Sequence, residues 1–337
     1  MIPIACVSFL TDSTRKNPML RTTAFATCFA LIGSFAQADT LTFYTAGPGG
    51  LADALAEAFK AETGITVNVF QGTTGQVMAR LEAEEANPQA DVVVSASWGS
   101  AVEMHERGLL MEYVSPNAEN VPDFLKHSHY TAQGISALAM VRNTQSGAPR
   151  PAEWTDLSGE AYRGLVTMPD PAQSGSAFDL IAGLETAMGE EAWTLLAALA
   201  ANEMIVPGPN AAALNPVLQG AKAVVFGAVD YISYAQAAGG ETIEVIVPES
   251  GTVIAPRPMM ILNSTSNPDA AKAFVDFVLS DAGQKLVAAT WMMPARADVA
   301  GLRPGIADLK VIEVDESAVA ARREEIIARF NATVTNR

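Results

Sequence analysis

Cysteine is scarce in this chain and badly placed for chemistry: both residues, Cys6 and Cys28, fall before position 39. From Asp39 onward there is no thiol nucleophile, no thiolate metal ligand and no disulfide. Histidine is also rare, with three in 337 residues. No Gly-x-Ser-x-Gly elbow, phosphate-binding Walker loop or zinc-type histidine motif is present, and none of the motifs marks a cofactor site. Isolated carboxylates mean little without geometry, so an enzyme is not expected. Positive charge is the minority: Lys and Arg number 21 against 37 Asp and Glu. Without residues 1–38 these become 18 and 36, a net charge of −18. Such a surface disfavours nucleic acid and anionic lipid. A local pocket of backbone N–H groups can still take an anion.

Only one stretch combines apolar character with the flanks of a targeting signal. Met19–Ala38 reads MLRTTAFATCFALIGSFAQA. Arg21 gives a basic start, Phe25–Phe35 a short apolar region, and Ala36-Gln37-Ala38 a small-x-small cleavage site. That is the layout of a secretory signal peptide cut after Ala38. The apolar stretch is well short of the roughly 20 residues a membrane span needs. Cys28 lies inside it and not at its end, so no lipid anchor is expected. Residues 1–18 read as an upstream extension of the frame, with Met19 as the start. A free protein of the periplasm is expected, as a monomer. Hydrophobic residues at 49% and charged residues at 17% are a globular composition, and the length suffices for two domains.

Past the leader, strand-like and helix-like segments alternate, which predicts an α/β fold. Thr40–Thr45 is a strand, and Leu51, Leu55, Ala58 and Phe59 stripe a helix closed by Gly64. Ile65, Val67 and Val69 alternate as a second strand. Gly72-Thr73-Thr74-Gly75 opens a helix to about Glu85. Asp91–Ser95 is a continuously apolar strand, as in a buried parallel sheet, followed by Ser95-Ala96-Ser97-Trp98-Gly99. A second set begins near Ile135. Leu165–Met168 is a strand, and Asp170–Ser176 is a loop opening a helix at about Ala177. Pro207-Gly208-Pro209-Asn210 is a rigid loop. Ala223–Phe226 and Ile243–Val247 are strands, and Val253–Leu262 is a long strand interrupted by Pro256 and Pro258. The remainder is helical, ending with Val319, Ile326, Ile327 and Phe330. Ligands in such folds collect beyond the carboxyl ends of the strands, where helix N-termini offer unpaired N–H groups.

Three stretches carry a family resemblance. They are Thr73–Glu84 running on through Asn87–Val92; Pro169-Asp170-Pro171 with Ser174-Gly175-Ser176-Ala177; and Ala273–Gln284 followed by Met293-Pro294-Ala295-Arg296. Together they resemble the family 1 bacterial extracellular solute-binding proteins of ABC importers. The nearer resemblance is to the branch for iron(III), thiamine, 2-aminoethylphosphonate and sugar phosphates. It implies a type II periplasmic-binding fold, in which two α/β lobes close over a small-molecule solute in a central cleft. An inner-membrane ABC permease would be the partner. Carried onto this sequence, lobe one is 39–136 plus 259–337 and lobe two is 137–258. Ile135–Asn143 and Val253–Leu262 become the hinge strands. Delivery to a membrane sensor is the alternative use of the same design.

The motifs specify the ligand poorly, but a phosphonate or phosphate ester fits them better than iron(III). Thr73, Thr74, Ser174, Gly175 and Ser176 precede helices, one loop in each lobe. Both loops can hold an oxyanion through hydroxyls and helix N-terminal amides. Equally, Thr74 and Ser174 or Ser176 can serve only as helix caps. Asp230 is a candidate for an ammonium group or an N-cap, and with an anion site it would suit a zwitterion such as 2-aminoethylphosphonate. Thr45 and Ala46 end the first strand and face the cleft; Ser97 follows the third. Trp98 either stacks on ligand or packs between lobes, and Asn210 can reach the cleft from its loop. Arg257 either neutralises an anion or pairs with an acidic neighbour.

Ferric iron wants anionic oxygen ligands. The resemblance implies adjacent tyrosines for it, often with a histidine in the first loop and a glutamate after the third strand. Here Tyr231 and Tyr234 are three apart, on one face if helical. Thr45–Gly50 holds no histidine and Ser95-Ala96-Ser97 no glutamate. His127-Ser128-His129 is the only histidine pair; spacing alone supplies no further ligand, so it reads as a solvated loop.

Overall fold

The computed structural model describes residues 40–336. The expected leader, its cleavage point and the upstream extension lie outside them. β1 (Thr40–Thr45), α1 (Gly49–Thr63), β2 (Thr66–Gln71), α2 (Thr74–Ala83), β3 (Val92–Val94) and α3 (Trp98–Glu106) keep the expected alternation. β1 pairs in parallel with β2 on one side and β3 on the other. Parallel pairing puts the carboxyl ends of these strands on one edge, where α1, α2 and α3 begin.

β4 (Lys126–His127) and β5 (Tyr130–Asn143) form a tight hairpin in which His127 faces Tyr130. β5 is 14 residues long and starts ahead of the expected Ile135. The next set is β6 (Val166–Thr167), α4 (Gly175–Met188), α5 (Glu190–Ala201), α6 (Asn210–Leu218), β7 (Val224–Val229), α7 (Asp230–Ala238) and β8 (Ile243–Ile246). The chain returns through β9 (Ile254–Ile261), α8 (Pro268–Val278), α9 (Asp281–Ala289), β10 (Met293–Pro294), α10 (Glu316–Ala321) and α11 (Arg323–Phe330). Strand order is β2-β1-β3-β9-β5-β7-β6, with β4, β8 and β10 also on β5. β5 therefore serves two sheets. It pairs with β9 along its first half and with β7 and β8 along its second.

Two expectations are corrected. Pro256 and Pro258 do not interrupt β9. β5 shifts register between Ala132 and Ile135, opposite those prolines, so the irregularity falls where the missing N–H groups would otherwise break the ladder. The segment after Pro209 is not only a loop: Asn210 begins α6, which buries Ala213, Leu214 and Val217. Pro216 sits inside that helix near its end, where a proline masks the helical pattern in the sequence.

One large core runs under both sheets. In the first, Phe274 of α8 meets Phe43 of β1 and Phe59 of α1 at ring distances of 5.0 and 5.2 Å. A smaller core packs α6 against the second sheet through Val141, Ala213, Leu214, Val217, Val225, Ala228 and Ile243. Among the described residues no helix is long and apolar enough to cross a membrane.

Candidate functional site

The N-termini of α2 and α4 meet head on. Gly75 sits so close to the facing chain that an added Cβ would lie 2.8 Å from the Ala172 carbonyl oxygen. At Gly175 an added Cβ would lie 2.8 Å from Ser97 Cβ and 3.0 Å from Thr74 Oγ1. Glycine at these two places is what lets the helices touch. Across the same contact the Ser97 hydroxyl donates to Asp179 Oδ1 of α4 at 2.7 Å, with both residues buried.

Capping chemistry decides which hydroxyls remain. Thr73 Oγ1 accepts from the Gln76 N–H at 3.2 Å, and Gln76 Oε1 accepts from the Thr73 N–H at 2.9 Å, a reciprocal capping box. Thr73, and not Thr74, therefore caps α2. The Thr74 hydroxyl is buried against Gly175 with no hydrogen-bond partner. In α4, Ser174 Oγ does accept from its own helix, from the Ala177 N–H at 3.2 Å. The same oxygen accepts from Asn210 Nδ2 at 2.9 Å and lies 3.1 Å from Ser176 Oγ. Asn210 reaches this contact from the first turn of α6, and its Oδ1 is buried without a partner. The structure thus gathers Thr74, Ser97, Ser174, Gly175, Ser176 and Asn210.

A second polar group centres on Arg257 of β9, which is 1% exposed. Its Nη1 donates to the Ala46 carbonyl at 3.0 Å and its Nη2 to the Tyr231 hydroxyl at 3.2 Å. Nε has no partner, and no carboxylate lies within ion-pair distance among the described residues. The acidic neighbour that an interior arginine usually has is missing, and a buried guanidinium without one is costly unless an anion supplies the charge. Beside it, Thr45 Oγ1 accepts from the Gly47 N–H at 2.9 Å, and Gln71 fixes the Gly47 carbonyl at 3.2 Å. Gln133 Oε1, buried near Gly47, has no partner.

Two expected residues do other work. Asp230 does not wait for an ammonium group: Arg303 holds its Oδ2 at 2.6 Å, with both side chains almost fully buried. Its Oδ1 accepts from the Ala137 and Tyr231 N–H groups at 3.0 and 2.8 Å. Burial pushes this carboxyl up to about 6, with Arg303 and the backbone donors pulling the other way. Tyr234 does not join Tyr231. It stacks on Trp291 at 6.2 Å with the Arg303 guanidinium 5.4 Å from its ring, whereas Tyr231 meets Arg257. Burial, with the Asp230 charge beside it, pushes the Tyr234 hydroxyl up. Trp98 packs edge-on against Tyr130 at 5.1 Å and lines an apolar cavity with Val253, Pro256 and Ile312.

Asp179 and Gln133 were missed from the sequence. Asp179 had a readable signal, a lone carboxylate in the apolar run Ala177-Phe178-Asp179-Leu180-Ile181. Gln133 had none. A groove of about 640 Å³ between α2, α3 and α11 is lined by Thr74, Gly75 and Ala172 at the end nearest the first polar group.

Residues 87–314 match the profile of a family described as bacterial extracellular solute-binding protein. A putative 2-aminoethylphosphonate-binding periplasmic protein of Salmonella typhimurium is 26% identical over 251 residues, 72% of this chain and 73% of its own length. The periplasmic binding protein AfuA of Actinobacillus pleuropneumoniae, solved with fructose-6-phosphate, superposes with a TM-score of 0.81 at 24% identity. That superposition covers 88% of this chain and 98% of AfuA. Iron-bound HitA of Pseudomonas aeruginosa superposes with a TM-score of 0.77 at 21% identity, covering 88% and 99%. The architecture shared with these proteins is the expected type II periplasmic-binding fold, two α/β lobes joined by crossing strands.

Proposed function

The chain belongs to the bacterial extracellular solute-binding protein family, and from that premise we propose that it is the periplasmic binding component of an ABC importer for a small phosphonate or phosphate ester. As a member of that family it is a binding protein and not an enzyme. The lobes divide as 39–136 with 259–337, and 137–258, and the polar residues of both face the solute.

One observation carries the ligand class: the buried Arg257 has no carboxylate partner and an unpartnered Nε, yet bridges Ala46 of one lobe to Tyr231 of the other. A guanidinium so placed suits a phosphoryl oxygen. The N-termini of α2 and α4 add amides and the hydroxyls of Thr74, Ser174 and Ser176. Asp230, held by Arg303, does not offer its carboxylate to the ammonium of a zwitterion such as 2-aminoethylphosphonate. Binding proceeds by hinge closure: contacts from both lobes are complete only when the lobes meet, so solute shifts the population toward the closed form, which a permease then reads.

The test is a thermal-shift panel on refolded, ligand-stripped protein, with 2-aminoethylphosphonate, sugar phosphates, other phosphate esters, thiamine and ferric citrate. A solute at about 100 times its Kd adds roughly 2.7 kcal/mol of stability. A shift with a phosphonate or phosphate ester, lost in Arg257→Met, supports the reading. A shift with ferric citrate alone, with a coloured tyrosinate complex, overturns it in favour of iron.

A further inference from the structure

The fold brings the chain's three histidines together. His105 is in the last turn of α3; His127 ends β4, and His129 is in the turn that follows. One ligand nitrogen from each lies within 4.8 Å of the other two. Ring centroids are 4.3 Å apart for His105 and His129, 4.7 Å for His105 and His127, and 5.5 Å for His127 and His129. The pair His127 and His129, read from the sequence as a solvated loop, thus gains its third member from a helix more than 20 residues earlier.

We propose that His105, His127 and His129 form a binding site for a divalent transition-metal ion of the zinc, copper(II) or nickel class. Three imidazoles without thiolate or carboxylate select borderline metals and not hard ions such as iron(III), calcium or magnesium. The site is therefore separate from any ferric cargo. Metal–nitrogen bonds of about 2.0–2.1 Å put ligand nitrogens about 3.3 Å apart in a tetrahedron. The present spread closes by rotation of rings that are exposed at His127 and half-buried at His105 and His129.

The surroundings favour that geometry. Ser128 Oγ lies 2.8 Å from His129 Nδ1; accepting from that nitrogen, it leaves Nε2 with its lone pair for a metal. His127 Nδ1 takes the His129 N–H at a long 3.3 Å, a contact that ring rotation gives up. The Tyr130 ring stacks on His127 at 4.7 Å and is itself packed on Trp98. A fourth position remains for water or an outside ligand. The bound ion would clamp α3 to the hairpin that leads into β5. His105 lies about 12 Å along α3 from Ser97 at the interlobe contact.

The proposal does not depend on the identity of the solute. The experiment is a titration of the untagged, chelator-treated protein, starting at Asp39, with Zn²⁺ by calorimetry and with Co²⁺ by absorption. We expect one equivalent of each, a cobalt d–d spectrum of nitrogen ligation, and affinity reduced at least ~10-fold in His105→Gln and in His129→Gln. Arg257→Met should leave metal binding unchanged. Because the chain has three histidines in all, a long-range ¹H–¹⁵N spectrum of the unmutated protein reads the site directly. Zn²⁺ should move the signals of all three rings at one equivalent, whatever the variants' folding. Absence of zinc binding overturns the site. So does binding that leaves any of the three rings unmoved, or that is lost in Arg257→Met and kept in the histidine variants.

Discussion

The helices α2 and α4 present their N-termini to each other, yet they solve the same local problem differently. In α2 the labour is divided between neighbours: Thr73 and Gln76 cap the helix between themselves, so Thr74 keeps a free hydroxyl. In α4 one oxygen does everything: Ser174 caps the helix, receives Asn210 and touches Ser176. On the proposed reading, the difference separates stability from recognition in one lobe and fuses them in the other. A third case is α7, where the first-turn carboxylate of Asp230 is neutralised by Arg303 and serves the fold alone.

These contrasts can be broken or sharpened by substitution, and the largest effect is expected at α7. Asp230→Ala strands the buried Arg303 and should cost about 3–5 kcal/mol of folding stability; urea denaturation measures it. A loss below 1 kcal/mol would mean that Asp230 is not structural, and would return it to the list of solute contacts. Arg257→Met should next weaken solute binding at least ~30-fold by calorimetry while leaving stability equal or higher, because the variant removes a buried charge together with its desolvation cost. Gly175→Val puts side-chain atoms where Ser97 and Thr74 already are. It should cost about 1–3 kcal/mol of closure energy, seen as weaker binding and as a scattering curve that solute no longer compacts. The smallest effects discriminate most finely. Thr73→Ala should lower stability by about 1 kcal/mol with affinity unchanged, whereas Thr74→Val should lower affinity by about 0.5–1.5 kcal/mol with stability unchanged. Ser174→Ala should lower both. If Thr73 and Thr74 behave alike, the division of labour in α2 is wrong.

Local pattern carried much of this architecture in the sequence. The Thr73-Thr74-Gly75 and Ser174-Gly175-Ser176 loops announce helix starts because hydroxyls and glycine solve a problem confined to four residues. The apolar runs of β3 and β7 announce buried strands for the same reason. What stayed hidden depends on partners distant in the chain. Asp230 looks like a free carboxylate until Arg303 arrives from 73 residues later. Tyr231 and Tyr234 share a helix face in the abstract, but Arg257 claims one and Trp291 the other. Pro216 hides α6, and the irregularity of β5 is visible only once the prolines of β9 lie opposite it. His105 has no local relation to the hairpin it joins.

The double service of β5 bears on the order in which the chain can assemble. Its partners β7 and β8 are finished by Ile246, so the second sheet is complete in one unbroken stretch. The first sheet has no such luck. β3 must wait for β9, and β5 for β9 and β10, which lie beyond Ile254 and Met293. A chain threaded out of a narrow exit N-terminus first would therefore hold β1, β2 and β3 as an unfinished edge while the later lobe folds beside it. Contacts this distant in sequence form slowly, and an open strand edge invites pairing with other chains. On that order the earliest-made strands are the last to gain all their partners, and their need for a protecting partner would last longest.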